Sequence, residues 1–239
     1  MTRTLYDLAA KDPEMRFSPF CWRAKMAMRH KGLDFETIPW RLTEKDVIAR
    51  TGQGRVPVLV DNERWVHDSW QIALYLDEAY PDRQLLMRNA AERAMARFLS
   101  SWCDLTLHPI IRSTFLLDIY NVVADRDRAY FRESREKLFG GKLEELAMER
   151  SAGLKALAQV LQPAEATLNV SRWLAGDEPS YADYCLFGSL QWGRVLSSEP
   201  IVSPDGAVGR WFERMLGLFD GYARQVLTIG GEAARREAG

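Results

Sequence analysis

The sequence predicts an α/β N-terminal part built on a mixed four-strand sheet, followed by an all-helical C-terminal part. Two observations predict it. Up to about residue 81, short β-branched and aromatic runs alternate with helical periodicity, in the order β-α-β-α-β-β-α. After about residue 90 strand signals nearly vanish, and apolar residues recur at helical spacing. With 239 residues, 47% of them hydrophobic, the chain can bury a sizeable core.

The first strand covers about residues 3–7 around Thr4-Leu5-Tyr6, and a polar loop from Ala10 to Arg16 follows. Ser18 suits a helix N-cap and Pro19 the first helical position, where its missing N–H costs nothing. That helix runs to His30-Lys31-Gly32. A second strand is expected at Phe35-Glu36-Thr37-Ile38-Pro39, then a short helix from Thr43, its cap, to about Arg50. Gly52-Gln53-Gly54-Arg55 leads into the strand Val58-Leu59-Val60. Asp61-Asn62 turns the chain into a strand at Arg64-Trp65-Val66, a hairpin signal. A third helix opens at Asp68-Ser69 and ends at Tyr80-Pro81. This order is that of a thioredoxin-like fold.

Residues 81 to about 90 read as a linker. Beyond it Met95, Phe98, Leu99, Trp102 and Leu105 repeat at helical spacing until Pro109 interrupts or kinks the helix. Residues 121–137 are dense in charge and are expected to form a solvated loop and an exposed helix face. Leu143, Leu146, Leu154, Leu157 and Leu161 continue a helical stripe, which Pro163 and the turn Gly176-Asp177-Glu178-Pro179 close. Ser180 and Asp183 form a capping box, with Asp in place of the usual Glu or Gln. A short helix is expected over Ala207 to Phe219, and a frayed tail from Gly230. The sequence thus divides into residues 1–81 and residues 90–239.

The totals exclude several functions. A net charge of −1 gives no footprint for nucleic acid or an anionic membrane. Three widely spaced cysteines argue against a disulfide framework and for a reducing compartment. The N-terminus carries no long apolar run after its charge, and no stretch reaches membrane-spanning length, so a soluble cytoplasmic protein is expected. His30, His67 and His108 lie far apart with no paired ligand, so no metal site is expected. Gly52-x-Gly54 lacks the third glycine of a dinucleotide fingerprint. Gly140-Gly141-Lys142 lacks phosphate-loop spacing, and Gly188-Ser189 is not a nucleophile elbow.

The chemistry centres on Ser18-Pro19-Phe20-Cys21. It is the dithiol pattern Cys-Pro-x-Cys with an oxygen in place of the nucleophilic sulfur, so Cys21 has no redox partner. A hydroxyl at a helix N-terminus sits beside unpaired N–H groups and the positive end of the dipole, which favours an anion. Ser18 can be simply a cap, or it can serve a sulfur that arrives on a ligand. Both roles are compatible, because the cap position is what places the hydroxyl.

Four features in this order resemble the glutathione transferase superfamily across nearly the whole chain. They are Ser18-Pro19 opening a helix, Val56-Pro57 before a strand, Asp68-Ser69 opening a helix, and the box Ser180-x-x-Asp183. Leu5-Tyr6-Asp7-Leu8, Trp22-Arg23, His30-Lys31-Gly32, Val66-His67-Asp68-Ser69-Trp70 and Tyr75-Leu76-Asp77 look most like the serine-type bacterial β-aryl-etherases and the fungal etherase-like group. The resemblance implies a glutathione-binding N-terminal domain, a helical domain contributing the hydrophobic substrate site, and a homodimer.

On that resemblance Ser18 is the catalytic residue, and glutathione is the co-substrate. A thiol of pKa about 8.5 is only slightly ionised at neutral pH. One hydrogen bond to the charged form, worth roughly 1.5–3 kcal/mol, lowers that pKa by about one to two units. The Val56 backbone ahead of a cis Pro57 would pair with the cysteinyl backbone. Ser69 and the helix N-terminus would take the γ-glutamyl carboxylate and Asp68 its ammonium, unless the pair only caps the helix. Arg55, Trp40 and Arg41 would supply further tripeptide contacts. Ser180 and Asp183 are assigned to folding. Phe20, Trp102, His108, Phe115, Tyr120, Phe187 and Trp192 are the candidates for the second-substrate wall. The expected reaction is attack of the thiolate on a hydrophobic aromatic electrophile, with β-aryl ether cleavage as the etherase-like case. The rival is a non-catalytic protein binding glutathione or an aromatic ligand; a thiol reductase would need cysteine at position 18.

Overall fold

The structure, a computed structural model, describes residues 3–231. Most of the tail expected to fray from Gly230 lies outside the described residues. Strand β1 (Arg3–Leu8) buries Leu5 and Asp7 on one face, the alternation of a pleated strand. It pairs in parallel with β2 (Glu36–Trp40) and antiparallel with β3 (Val58–Asp61), which pairs in turn with β4 (Arg64–His67). The sheet order is β2-β1-β3-β4, with helix α1 (Pro19–His30) between β1 and β2. The β3–β4 turn uses Asn62 at a φ of 55°, a left-handed conformation that Asn tolerates.

Helix α2 (Ser69–Ala79) packs beside α1 over the Leu5 face, where Met26, Ala27, Ile72 and Leu76 are fully buried. On the opposite face Trp40, Ile48 and Val58 form a second, smaller cluster, bordered by Tyr6 and Trp65 stacked at 5.8 Å. The helix expected from Thr43 is instead a 3₁₀ turn over Lys45–Thr51. Thr43 is not its cap, because its N–H and hydroxyl both go to Asp127 of the helical part.

The helical part begins with α3 (Ala90–Trp102), which passes through one π-helical turn, Cys103–Leu107, into α4 (His108–Thr114). Pro109 is the physical cause: it offers no N–H and its ring crowds the preceding turn, so the helix widens rather than stops. Helices α5 (Leu116–Val122), α6 (Arg128–Phe139), α7 (Leu143–Leu146), α8 (Arg150–Val160) and α9 (Gln162–Val170) follow. Pro163 does not close the leucine stripe; it occupies the first turn of α9, where proline is tolerated. The charged run 121–137 is not wholly solvated either. Asp127 is buried and accepts from Leu42 N (3.0 Å), Thr43 N and Thr43 Oγ1, tying the start of α6 to the sheet domain.

Helix α10 (Tyr181–Val195) is the central strut, almost wholly buried between α1 and α3, and α11 (Ala207–Gly221) packs on α9. Helices α1 and α10 cross so closely that a Cβ on Gly188 would lie 2.5 Å from the Pro19 carbonyl oxygen. The capping box forms as expected. Asp183 accepts from Ser180 N, Leu174 N and Trp211 Nε1, each at 3.0 Å, and from Ser180 Oγ at 3.3 Å. Among the described residues, no helix is long and apolar enough to cross a membrane.

Candidate functional site

The strand register brings three of the motifs to one end of the sheet. Tyr6 of β1 lies opposite Val58, and Val58 opposite His67. The end of β1, the start of β3 and the end of β4 therefore share one edge, and Pro57 and Asp68 are the residues just beyond it. The Val56–Pro57 peptide is cis. The loop from β1 to Ser18 is held by an Ala9–Arg16 bridge and by Trp22 Nε1 donating to Arg16 O at 2.8 Å. It returns the chain to the same edge.

Ser18 has extended backbone angles and caps α1, its Oγ accepting from Cys21 N at 3.2 Å. It is 4% exposed. A hydroxyl has two acceptor pairs and one proton, so capping leaves the O–H able to turn toward an anion. Cys21 beneath it is fully buried, and burial pushes its thiol up, against the hydrogen bond to Ser18 that lowers it. Cys21 is thus inert as a nucleophile. Below it Asp7 pairs with Lys25 at 2.7 Å in the core, and the Lys25 ammonium sits 3.4 Å over the Trp22 ring.

Asp68 caps α2, accepting from Trp70 N at 2.9 Å and Gln71 N at 3.1 Å, in the left-handed φ region at 70°. It is exposed, and its second oxygen has no protein partner among the described residues. Ser69 is buried beside it, and its carbonyl accepts from Tyr181 OH of α10 at 2.7 Å. Arg55 is exposed, with its backbone braced on both sides by the Gln53 amide at 2.7 and 2.8 Å. The other two tripeptide candidates are held by local bonds. Trp40 is buried in the small cluster with its indole N–H on Glu44 O (2.7 Å), and Arg41 Nη2 donates to Lys11 O (3.3 Å). Trp40 ends β2 opposite Leu8, the last residue of β1, and packs on Val58 at the start of β3, with Arg41 next to it.

Of the seven aromatic-wall candidates, three meet. The Phe20 ring, in the first turn of α1, stands edge-on to His108 at 5.2 Å, and His108 edge-on to Trp192 at 5.6 Å. Phe20 and Trp192 are half-buried, and Trp192 Nε1 is buried with no hydrogen-bond partner in the protein. Ser189 Oγ lies 2.9 Å from His108 Nε2 and donates to Cys185 O, so His108 is the donor at Nε2. Burial, and then Arg23 and Arg112, hold His108 down at about 3, hence neutral.

The other four do not join this group. Phe115 and Phe187 are fully buried; Phe187 packs on Trp22 and Phe212, and Arg150 lies over Phe115. They are core, because their helices turn those faces inward. Tyr120 is half-buried beside Phe131 under Arg132, a separate group at α5–α6. Trp102 is half-buried at the end of α3 with no ring contact to Phe20 or His108.

Sequence reasoning missed Arg23, which is 1% exposed. Its Nη2 pairs with Asp104 at 2.8 Å and its Nη1 meets Ser100 Oγ at 3.3 Å, fixing α1 to α3 below Phe20. A cation on the buried face of an otherwise apolar helix was the signal available. Among the described residues, no group of three His, Cys, Asp or Glu side chains could hold a metal ion.

Comparison with known proteins agrees with this geometry. Residues 13–84 match the glutathione S-transferase N-terminal domain, and residues 94–217 match the glutathione S-transferase C-terminal domain. The chain is 25% identical over 215 residues to glutathione transferase omega-1 of Caenorhabditis elegans, covering 84% of this chain and 75% of that one. It shares its fold with glutathione transferase GSTFuA2 of Phanerochaete chrysosporium (TM-score 0.72, 25% identity, 99% and 98% of the two chains). It is also similar in fold to the glutathione S-transferase CsGST63524 of Ceriporiopsis subvermispora, solved in complex with glutathione (TM-score 0.70, 23% identity, 93% and 94%). A thioredoxin-like sheet domain, a helical domain behind it and matches over both halves place this chain in the glutathione S-transferase family, whose co-substrate is glutathione.

Proposed function

We propose that this protein transfers glutathione to hydrophobic aromatic electrophiles, with Ser18 donating its O–H to the thiolate. The observation that carries this is the Ser18 hydroxyl at the N-cap of α1, on the sheet edge shared by Val56–Pro57 and Asp68–Ser69. Residues 1–81 would hold the tripeptide, with its cysteinyl backbone on Val56, its γ-glutamyl end on Asp68 and Ser69, and its glycyl carboxylate on Arg55. Residues 90–239 would supply the apolar wall, of which Phe20 from α1, His108 and Trp192 form the contiguous part.

The thiol loses its proton to solvent, sulfur attacks an electrophilic carbon, and the bond to the leaving group breaks. For a β-aryl ether the C–O bond breaks, a phenolate leaves and takes a proton, and a thioether remains. The unpartnered indole N–H of Trp192 is the donor in the wall best suited to the leaving oxygen. Catalysis comes from positioning and from stabilising charge on sulfur. Ser18→Ala should lower turnover of a general electrophile by about tenfold or more, the loss of one charged hydrogen bond, with glutathione affinity retained. Equal turnover in the variant overturns the role of Ser18. A β-aryl ether ketone that releases no phenol removes the etherase specificity alone.

A second reading, a non-catalytic binder, is favoured by one observation: Ser18 is 4% exposed with its oxygen already capping the helix. Glutathione binding without turnover across a broad electrophile panel would establish it. We also infer a homodimer. It is supported by an exposed apolar stripe of Met95, Phe98 and Leu105 along α3 and its π-turn, with Phe98 64% and Leu105 79% exposed.

A further inference from the structure

Four cations from four separate segments, Lys45, Arg55, Arg112 and Arg135, gather on or beside α6, and none pairs with a carboxylate among the described residues. Arg112 lies one turn beyond His108 on the same face of α4, and His108 touches Phe20, two residues from Ser18. The Arg112 guanidinium stacks on Phe139 of α6 at 3.9 Å. One turn earlier on α6, Arg135 stacks on Phe131 at 4.9 Å, its Nη1 donating only to Ser134 Oγ at 2.9 Å. Across the cleft Lys45 lies over Tyr130 of α6 at 4.5 Å and against Gly54, next to Arg55. Among the described residues none of Lys45, Arg55, Arg112 and Arg135 makes an ion pair, although most of the surface arginines of α6 and its neighbours do.

The two helical-domain arginines differ from the other two in being half-buried. Burial holds both guanidiniums below their ordinary value; for Arg135 the Tyr130 hydroxyl opposes this, while Arg55 and Arg112 add to it. Like charges at that cost, each set against an aromatic ring, have no ion-pair partner among the described residues. In the proposed tripeptide pose the glycyl carboxylate is taken by Arg55, with Lys45 beside it. Arg112 and Arg135 remain.

We propose that the second substrate is an anionic aromatic electrophile, its carboxylate held between Arg112 of α4 and Arg135 of α6. This rests on the transferase reading of the cleft and narrows its substrate class. The aromatic body lies along Phe20 and Trp192, while the charged end points toward α6. A carboxylate suits the site because a planar guanidinium matches it with two parallel hydrogen bonds.

The test compares two electrophiles that share a reacting carbon, benzyl chloride and para-(chloromethyl)benzoate, with glutathione and the purified full-length protein. In each, sulfur displaces chloride and the thiol proton goes to solvent. Binding of the two products, S-benzylglutathione and S-(para-carboxybenzyl)glutathione, is measured by calorimetry in parallel. Wild type should prefer the carboxylated member of each pair. Arg112→Gln and Arg135→Gln should each cut that preference by about tenfold, and Arg112→Lys and Arg135→Lys should restore part of it. Raised salt should lower the preference as well. Equal binding of the two conjugates by wild type, or a preference unchanged in both Gln variants, overturns the proposal. Arginine-dependent binding of the carboxylated conjugate with no turnover of either chloride upholds the anion site and removes the transferase reading.

Discussion

Replacing Gly188 by alanine tests whether the α1–α10 crossing sets the position of Ser18. A Cβ there would stand 2.5 Å from the Pro19 carbonyl oxygen, 3.1 Å from Arg23 Cγ and 3.4 Å from the Pro19 carbonyl carbon. Ordinary contact begins near 3.4 Å, so the two backbones must separate by about 0.9 Å, and neither is a flexible side chain that can turn away. Overpacking of this kind costs about 1–3 kcal/mol, and the better helix propensity of alanine returns up to about 1 kcal/mol. The net expectation is about 1–2 kcal/mol of destabilisation, or about 2–8 °C in Tm for a chain of this size. Because the clash falls on the residue after Ser18, kcat should fall by about tenfold or more, a displacement near 1 Å being enough to spoil a reacting geometry. Gly217→Ala is the control. It has nothing within 4 Å of its would-be Cβ, ends the regular part of α11, and should melt at or slightly above wild type. Differential scanning calorimetry and turnover of a neutral electrophile read both. A Gly188→Ala variant that melts at or above wild type refutes the close-crossing argument.

Three further outcomes follow from the packing. Asp183→Ala strands the Ser180, Leu174 and Trp211 donors in the core and should cost about 3–5 kcal/mol, seen as a lower urea midpoint and poor soluble yield. His30 accepts from Tyr184 OH at Nδ1 (2.7 Å), donates from Nε2 to Leu85 O (3.2 Å), and is held by burial at about 4. The unfolded chain therefore takes up its proton first as pH falls. Stability is complete above about 6.5 and declines toward 4, by about 3 kcal/mol from this residue. His108, held near 3, acts in the same direction. Urea titrations across this range should show a shallower decline in His30→Gln; identical slopes would clear His30 of the effect. Phe98→Asp places a charge in the exposed α3 stripe and should convert a dimer to monomer in sedimentation. An unchanged mass would remove that stripe from the interface.

The sheet elements were legible because their signals are local: alternation in β1, the Asp61-Asn62 turn, and Ser18 and Asp68 as caps. The capping box was equally plain, since Ser180 and Asp183 serve each other across three residues. What escaped depends on partners distant in sequence. Asp127 reads as one more charge in a solvated run until Leu42 and Thr43 are seen beside it. Trp40 sits at a strand end where an aromatic can face either way, and Ile48 and Val58 decide for the interior. Phe115 and Phe187 share helical spacing with the half-buried Phe20 and Trp192, and only the crossing of helices turns the first two into core. Arg112 and Arg135 lie 23 positions apart, and only the packing of α4 on α6, with Arg112 over Phe139 and Arg135 over Phe131, brings them to one side.

The polar ties between the two halves also bear on how the chain must be assembled. Tyr181 holds the first residue of α2, Tyr184 holds His30 at the end of α1, Asp104 and Ser100 hold Arg23, and Asp127 holds the loop after β2. Severed near the linker, the sheet half would expose to water the apolar face of α1 now buried against α10, while Arg23, His30 and several amides lose their partners. It would be expected to aggregate rather than fold. The helices are therefore as much a scaffold for the N-terminal half as a wall for a guest, and only the intact polypeptide should acquire a competent cleft.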